Sequence, residues 1–274
     1  MWGTAPRNLP KSRFVTYISN RVRQMRELIS AKNLHKSFAE LHAVKGVSLQ
    51  VNAGEVVGFL GPNGAGKTTT MRMLTGFLDP SAGSVSLDGF SLADDPLAAQ
   101  NTFGYLPEGA PAYPEMTVRE YLQFIARARG IARREIAGKI ADVAGRVHLR
   151  GVLDQVIETL SKGFKRRVGI AQAIIHDPPI LIMDEPTDGL DPNQKHEVRE
   201  LIRTMGSTKA IVLSTHILEE VEAVCTRAVV IAAGRVVFDG TPEEFELIAP
   251  ASVTRNRMDY VFRQLTATAA EVAQ

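Results

Sequence analysis

Cysteine is almost absent. One such residue, Cys225, in 274 excludes an internal disulfide framework and a cysteine-ligated zinc site. It ends the stretch Leu218–Cys225, which has a helical pattern and suits a buried helical thiol better than a reactive one. Long apolar runs are missing too. None approaches the roughly 18–20 residues that a membrane-spanning helix requires, so any membrane association must come through a partner or the surface. There is no internal repeat. A basic body is also lacking: the net charge is +2. Arg7, Lys11, Arg13, Arg21, Arg23 and Arg26 against Glu27 place +5 in the first 30 residues, which leaves −3 for the remainder. That balance gives no reason to expect a nucleic-acid partner. The basic head has two readings, a membrane-surface or targeting segment or a stretch ahead of an alternative start at Met25. It has no sustained apolar centre, and residues 1–27 are expected to form a disordered extension.

What is present is an ordinary globular composition and a chain long enough to bury a substantial core. The most informative stretch is Gly61-Pro62-Asn63-Gly64-Ala65-Gly66-Lys67-Thr68, followed by Thr69. It matches G-x-x-x-x-G-K-[ST] at every required position. It follows the apolar run Val56–Leu60 and precedes a helix start, the context a phosphate-binding loop needs. Its glycines let backbone N–H groups turn toward phosphate oxygens at a helix N-terminus. Lys67 would reach the β- and γ-phosphates and the Thr68 hydroxyl would ligate Mg²⁺. The alternative is a glycine-rich strand-to-helix turn with no ligand; the lysine, the threonine and the flanks argue against it.

Strands are expected over Leu28–Phe38, Val47–Val51, Val56–Leu60 and, bounded by turn residues, within Gly83–Gly89, then at Ile180–Met183, Ala210–Leu213 and Ala228–Ile231. The last three are continuous apolar runs, as in a parallel sheet covered on both faces. Helical patterns separate them, so right-handed crossovers follow. Thr117-Val118-Arg119-Glu120 is a capping box opening one helix, and a second helix is expected from about Arg133 to Val147. Asp191-Pro192 and Thr241-Pro242 open two more with a cap and a first-turn proline. The chain reads as an α/β nucleotide-binding core interrupted by helices.

The run Ile180–Met183 leads into Asp184-Glu185-Pro186. Adjacent strand residues point to opposite faces, so the two carboxylates take different tasks. Asp184 would hold Mg²⁺, and Glu185 would polarise a water attacking the γ-phosphate, a contribution on the order of 10²–10⁴ in rate. Two solvated acids at a strand end are the plain alternative. Upstream of this run, Ser161 caps a basic helix whose free N–H groups make an anion site.

With these elements in this order, the sequence resembles the ATP-binding subunits of ABC transporters over about residues 28–245. Leu160-Ser161-Lys162-Gly163-Phe164 is similar to their L-S-G-G-Q signature, Asp188-Gly189-Leu190-Asp191 to the D-loop, and His216 to the switch histidine that senses γ-phosphate. Phe38 falls where an aromatic ring stacks on adenine, although it could equally be core; His216 could be a surface or cap residue. The resemblance implies a P-loop NTPase core of the RecA-like kind, with a mostly parallel sheet, an N-terminal antiparallel β subdomain, a helical subdomain over about 109–177 and a short tail with a helix over 246–274. It also implies ATP with Mg²⁺, a head-to-tail homodimer (or a pair with a similar subunit), and a separate permease at the cytoplasmic face of the cell's inner membrane. In that pairing Ser161, Gly163 and Asp191 complete the site of the opposite subunit. Guanine selection would need an N-K-x-D pattern, which is absent.

Two positions depart from the family. Glu108 replaces the glutamine that ligates Mg²⁺; a carboxylate can still bind the ion but adds negative charge near the phosphates. Lys162 and Phe164 replace a glycine and a glutamine of the signature. Both departures resemble the branch serving ABC-2 type permeases, of the gliding-motility and nitrous-oxide-reductase-maturation types, which implies export. A soluble ABC-type ATPase and a module with impaired hydrolysis are the rival classes.

Overall fold

The computed structural model describes residues 26–272. Most of the expected N-terminal extension lies outside them, but Arg26 and Glu27 belong to the fold: Arg26 pairs with Asp88 and Glu27 opens the first strand. Strand β1 (Glu27–Phe38) turns tightly into β2 (Leu41–Asn52). In β2 the apolar Val47, Leu49 and Val51 are buried while Ser48 and Gln50 between them are exposed, the alternation of a sheet with one covered face. Strands β4 (Ala82–Leu87) and β5 (Phe90–Ser91) complete a four-stranded antiparallel sheet in the order β2-β1-β4-β5.

The second sheet has six strands in the order β10-β9-β3-β8-β7-β6. These are β3 (Val56–Leu60), β6 (Phe103–Leu106), β7 (Ile180–Asp184), β8 (Ala210–Thr215), β9 (Arg227–Ala232) and β10 (Arg235–Gly240). All neighbours pair in parallel except β9 and β10. Both faces are covered. On β3, Val56 and Leu60 join the apolar cluster on one side of the sheet and Val57 and Phe59 the cluster on the other. Helix α1 (Lys67–Leu74) adds Met71, Met73 and Leu74 to the cluster it shares with β1, β2 and β4.

A short helix α2 (Pro96–Asn101) precedes β6. Between β6 and β7 lie α3 (Val118–Ala128), α4 (Arg133–Arg146), two 3₁₀ turns and α5 (Lys162–Ile174). The capping box at Thr117 forms with both hydrogen bonds present. Helices α6 (Pro192–Gly206), α7 (Leu218–Val224), α8 (Pro242–Leu247) and α9 (Arg257–Val272) follow, with capping boxes at Asp191 and Thr241. Cys225 is buried as expected, but it sits just past α7 in extended backbone rather than inside the helix.

Strand β6 was not among the strands expected from sequence, because four residues containing a glycine carry little periodic signal. Its glycine is required by packing: a Cβ on Gly104 would lie 1.8 Å from the Ala173 carbonyl oxygen on α5. Backbone cannot rotate away as a side chain can. Gly104→Ala should therefore destabilise the chain at or above the upper end of ordinary overpacking, about 3 kcal/mol, read as a lowered denaturation midpoint in urea; an unchanged midpoint would mean that α5 and β6 are not this close.

Candidate functional site

The C-terminal ends of four adjacent parallel strands, β3, β8, β7 and β6, deliver the site. In open α/β sheets this edge is where ligands bind, because every strand releases a loop there. The loop after β3 is the phosphate-loop motif. Gly66 caps α1 at φ 105°, a left-handed conformation, and a Cβ there would stand 2.7 Å from the Ala43 carbonyl oxygen. Only glycine fits both demands. Gly61, Ala65 and Gly66 are buried, while Pro62, Asn63 and Gly64 are exposed at the rim and Thr68 and Thr69 are half-buried.

Lys67 folds its ammonium back into the loop, donating to the carbonyls of Gly61 at 2.7 Å and Pro62 at 3.2 Å. Burial lowers its pKa, and the nearby charges of Glu185, Asp184 and Glu108 pull it back up. One cation thus faces three carboxylates. The cleft in front holds about 430 Å³ and is lined by Phe38, Leu41, Ala43, the P-loop residues Asn63, Gly64 and Gly66 to Thr69, and by Glu108 and Glu185. Phe38 is 46% exposed, so it is a wall of this cleft and not core. The volume lies within the range of small-ligand pockets.

Asp184 ends β7 and is buried. The Ser214 hydroxyl donates to its Oδ1, whereas Oδ2 has no hydrogen-bond partner. A buried carboxylate oxygen left without a donor fits a hard divalent cation or its water. Among the described residues no cluster of three or more His, Cys, Asp or Glu makes an all-protein metal cage. Magnesium does not need one, since it is usually held by one or two protein oxygens together with phosphates.

Glu185 corrects one expectation. It is not a strand residue: β7 stops at Asp184, and Glu185 takes φ 51°. A left-handed residue, not strand alternation, separates the two carboxylates. The Glu185 N–H donates to the carbonyl (3.2 Å) and hydroxyl (3.1 Å) oxygens of Ser214. Its Oε2 is 2.9 Å from Nδ1 of His216, which follows β8. Glu185 and His216, named separately from sequence, are direct partners.

Ser161, Gly163 and Asp191 do not line this cleft. Ser161 is exposed and caps α5 through a weak bond from the Phe164 N–H at 3.4 Å. Gly163 packs against Gln194, whose own N–H bonds the Asp191 cap at 2.9 Å. These three residues form a second face of the same chain.

The sequence reading missed Arg166. As one residue of a basic helix it suggests a solvated side chain, yet it is buried. Its guanidinium donates to the carbonyls of Asp184 at 2.6 Å, Pro186 at 3.1 Å and, more weakly, Pro107 at 3.4 Å. One side chain from the signature helix thereby holds the acidic strand end and the segment before Glu108. Arg167 is buried too, and nothing in a run of three basic residues shows which of them holds the acidic strand end.

A family model for the ABC transporter matches residues 44–188. The chain is 41% identical to the ABC transporter ATP-binding protein NatA of Bacillus subtilis over 73% of its length and 82% of that protein. It is 38% identical to the Nod factor export ATP-binding protein I of Burkholderia orbicola over 78% of its length and 71% of that protein. A solved structure of an ATP-binding subunit of an ABC transporter superposes with a TM-score of 0.79 at 32% identity, covering 87% of this chain and 99% of the other. A dimeric bacterial ABC transporter cassette shares the fold, with a TM-score of 0.73 at 23% identity over 78% of this chain and 99% of the other. The chain therefore belongs to the ABC transporter family as one of its ATP-binding proteins, which hydrolyse ATP.

Proposed function

We propose that the chain works as one of two identical copies that sandwich two ATP–Mg²⁺ and drive a separate permease of the ABC-2 type, in the direction of export. One observation carries this reading. The cleft gathers Lys67, Thr68, Glu108 and Glu185, while Ser161, Gly163 and Asp191 stand on another face of the same chain. A head-to-tail second copy brings the two faces together. The name of the Nod factor export relative supports the direction.

In this reading the P-loop N–H groups and Lys67 hold the phosphates, and Phe38 stacks on the base. Thr68, Glu108 and Asp184 hold Mg²⁺, which neutralises phosphate charge when bound. Glu185 orients the attacking water and takes its proton. His216, already bonded to Glu185, fixes that carboxylate and reports on the γ-phosphate. ATP closes the pair because it binds the closed state better than the open one.

Residues 103–135, the segment of Glu108 and the helices after it, form the contact with the permease. Tyr113 and Phe124 support this: both are exposed, and their rings pack edge to face at 5.5 Å, an aromatic surface shared by α3 and the segment before it. Among the described residues no helix is long and apolar enough to cross a membrane. We place the chain at the cytoplasmic face of the inner membrane, held there by the permease.

Glu185→Gln should keep ATP affinity, lose turnover by roughly 10²–10⁴-fold and accumulate an ATP-dependent dimer on size exclusion. Turnover at the wild-type rate would defeat the role given to Glu185. Lys67→Ala removes charge-assisted bonds to phosphate, so ATP affinity should fall by about ten- to a hundredfold in a binding titration. Ser161→Arg should bind ATP normally yet neither dimerise nor turn over. Mixing the Lys67→Ala and Ser161→Arg chains should restore measurable hydrolysis, since one intact composite site can form; a mixture no more active than its parts would speak against a shared site.

A further inference from the structure

Glu220 is a buried carboxylate, 2% exposed, on the first turn of α7. It does not line the cleft of the phosphate loop and makes no ion pair among the described residues. Its partners are two hydroxyls. Thr215 donates to Oε2 at 2.7 Å, and Thr187 donates to Oε1. Thr215 in turn accepts the Ile217 N–H at 3.0 Å. Both threonines are buried, at 0% and 2% exposure.

Their positions along the chain matter. Thr187 lies two residues after Glu185, inside the turn that runs on to Asp191; the Asp188 N–H bonds the Glu185 carbonyl, and the Leu190 N–H bonds the Thr187 carbonyl. Thr215 is the residue before His216. Glu185 and His216 touch each other at 2.9 Å. The contacts therefore close a ring: Glu185, its backbone to Thr187, Glu220, Thr215, its backbone to His216, and back to Glu185. Ser214 joins the two strand ends through the Glu185 N–H and Asp184; Glu220 is a separate side-chain link, further along both loops.

Burying a carboxylate without a cation is costly, and two neutral hydroxyls offset only part of that. Burial pushes the Glu220 pKa up, helped by the charge of Glu185, while the Thr215 hydroxyl and, from a distance, Arg199 and Lys195 on α6 favour the charged form. An apolar side chain would fill the same space at lower cost. What it could not do is hold two loops at a set separation, because dispersion contacts are non-directional whereas hydrogen bonds fix distance and angle.

We infer that Glu220 is a positioning residue for ATP hydrolysis: by bonding Thr187 and Thr215 together it sets Glu185 against His216, and it carries movement at His216 to the turn that ends at Asp191. This rests on Glu185 and His216 being the reacting pair. Glu220 itself does not touch the nucleotide.

The test measures turnover, KM, ATP affinity and melting temperature of the full chain. Thr187→Val is nearly isosteric and breaks one arm of the bridge; Glu220→Ala breaks both. Each should lower kcat, the alanine variant by roughly 10²-fold as expected for a displaced catalytic group, while ATP affinity stays within about twofold, since the P-loop contacts are untouched. Glu220→Gln keeps the volume and can bond both hydroxyls, so it should recover at least about tenfold of the alanine loss. The Thr187→Val/Glu220→Ala double variant should be no slower than Glu220→Ala alone, because both break one connection. Additive losses, an alanine variant at wild-type kcat, or a parallel fall of affinity and melting temperature would each overturn the inference. If Glu220→Ala fails to fold, Thr187→Val with unchanged kcat still overturns it. Glu185→Gln and His216→Ala run alongside: full turnover in those would sink the underlying assignment, whereas their inactivity beside an active Glu220→Ala would sink only the bridge.

Discussion

Leu60 stands opposite Thr215 and Asp184 opposite Ser214 in the parallel ladder of the central sheet. This register makes one site from loops that are more than a hundred residues apart in the chain. Parallel neighbours all end at the same edge, so the loop of Lys67, the carboxylates of β7 and the histidine after β8 emerge side by side. A shift of one residue in that pairing would turn every buried side chain of a strand to the opposite face. Two apolar clusters, one on each side of the sheet, hold the register against such a shift.

Charge is the second constraint. Glu108, Asp184 and Glu185 all act on Lys67, and the same three together with Asp188 act on buried Arg166. Two cations, one bonded to carbonyls of the P-loop and the other to carbonyls on three sides, leave the acidic edge under-neutralised. Such an edge favours an ion that carries positive charge in with the substrate. The carbonyl bonds of Arg166 also explain how a buried guanidinium tolerates a site without an ion pair: its donors are satisfied by backbone, whose oxygens have no better partner inside the protein.

Much of this was legible in the residues. The P-loop, the strand before it, the buried strands β7, β8 and β9, and the caps at Thr117, Ser161, Asp191 and Thr241 are local signals, and local physics produces them. Strands β6 and β10 and helix α2 were not seen. Phe103–Leu106 is too short to show a period, and its glycine answers to a carbonyl on α5, a neighbour distant in sequence. The left-handed backbone at Glu185 was likewise hidden, because residue type alone argues against it. Ser214 carried no signal at all, being one polar residue at the end of an apolar run.

The sequence by itself determined which chemical groups are available and which local turns they ride on. Glycine spacing, a lysine and hydroxyl at a helix start, and two acids after an apolar run each follow from a few consecutive residues. The tertiary structure alone decided who meets whom. It paired Glu185 with His216, turned Arg166 inward, tied Thr187 to Thr215 through Glu220, and kept Ser161 out of this chain's own cleft. Those outcomes depend on strand order and on the packing of helices against the sheet. Strand order and packing arise from interactions summed over the whole chain, and no short window of residues contains them.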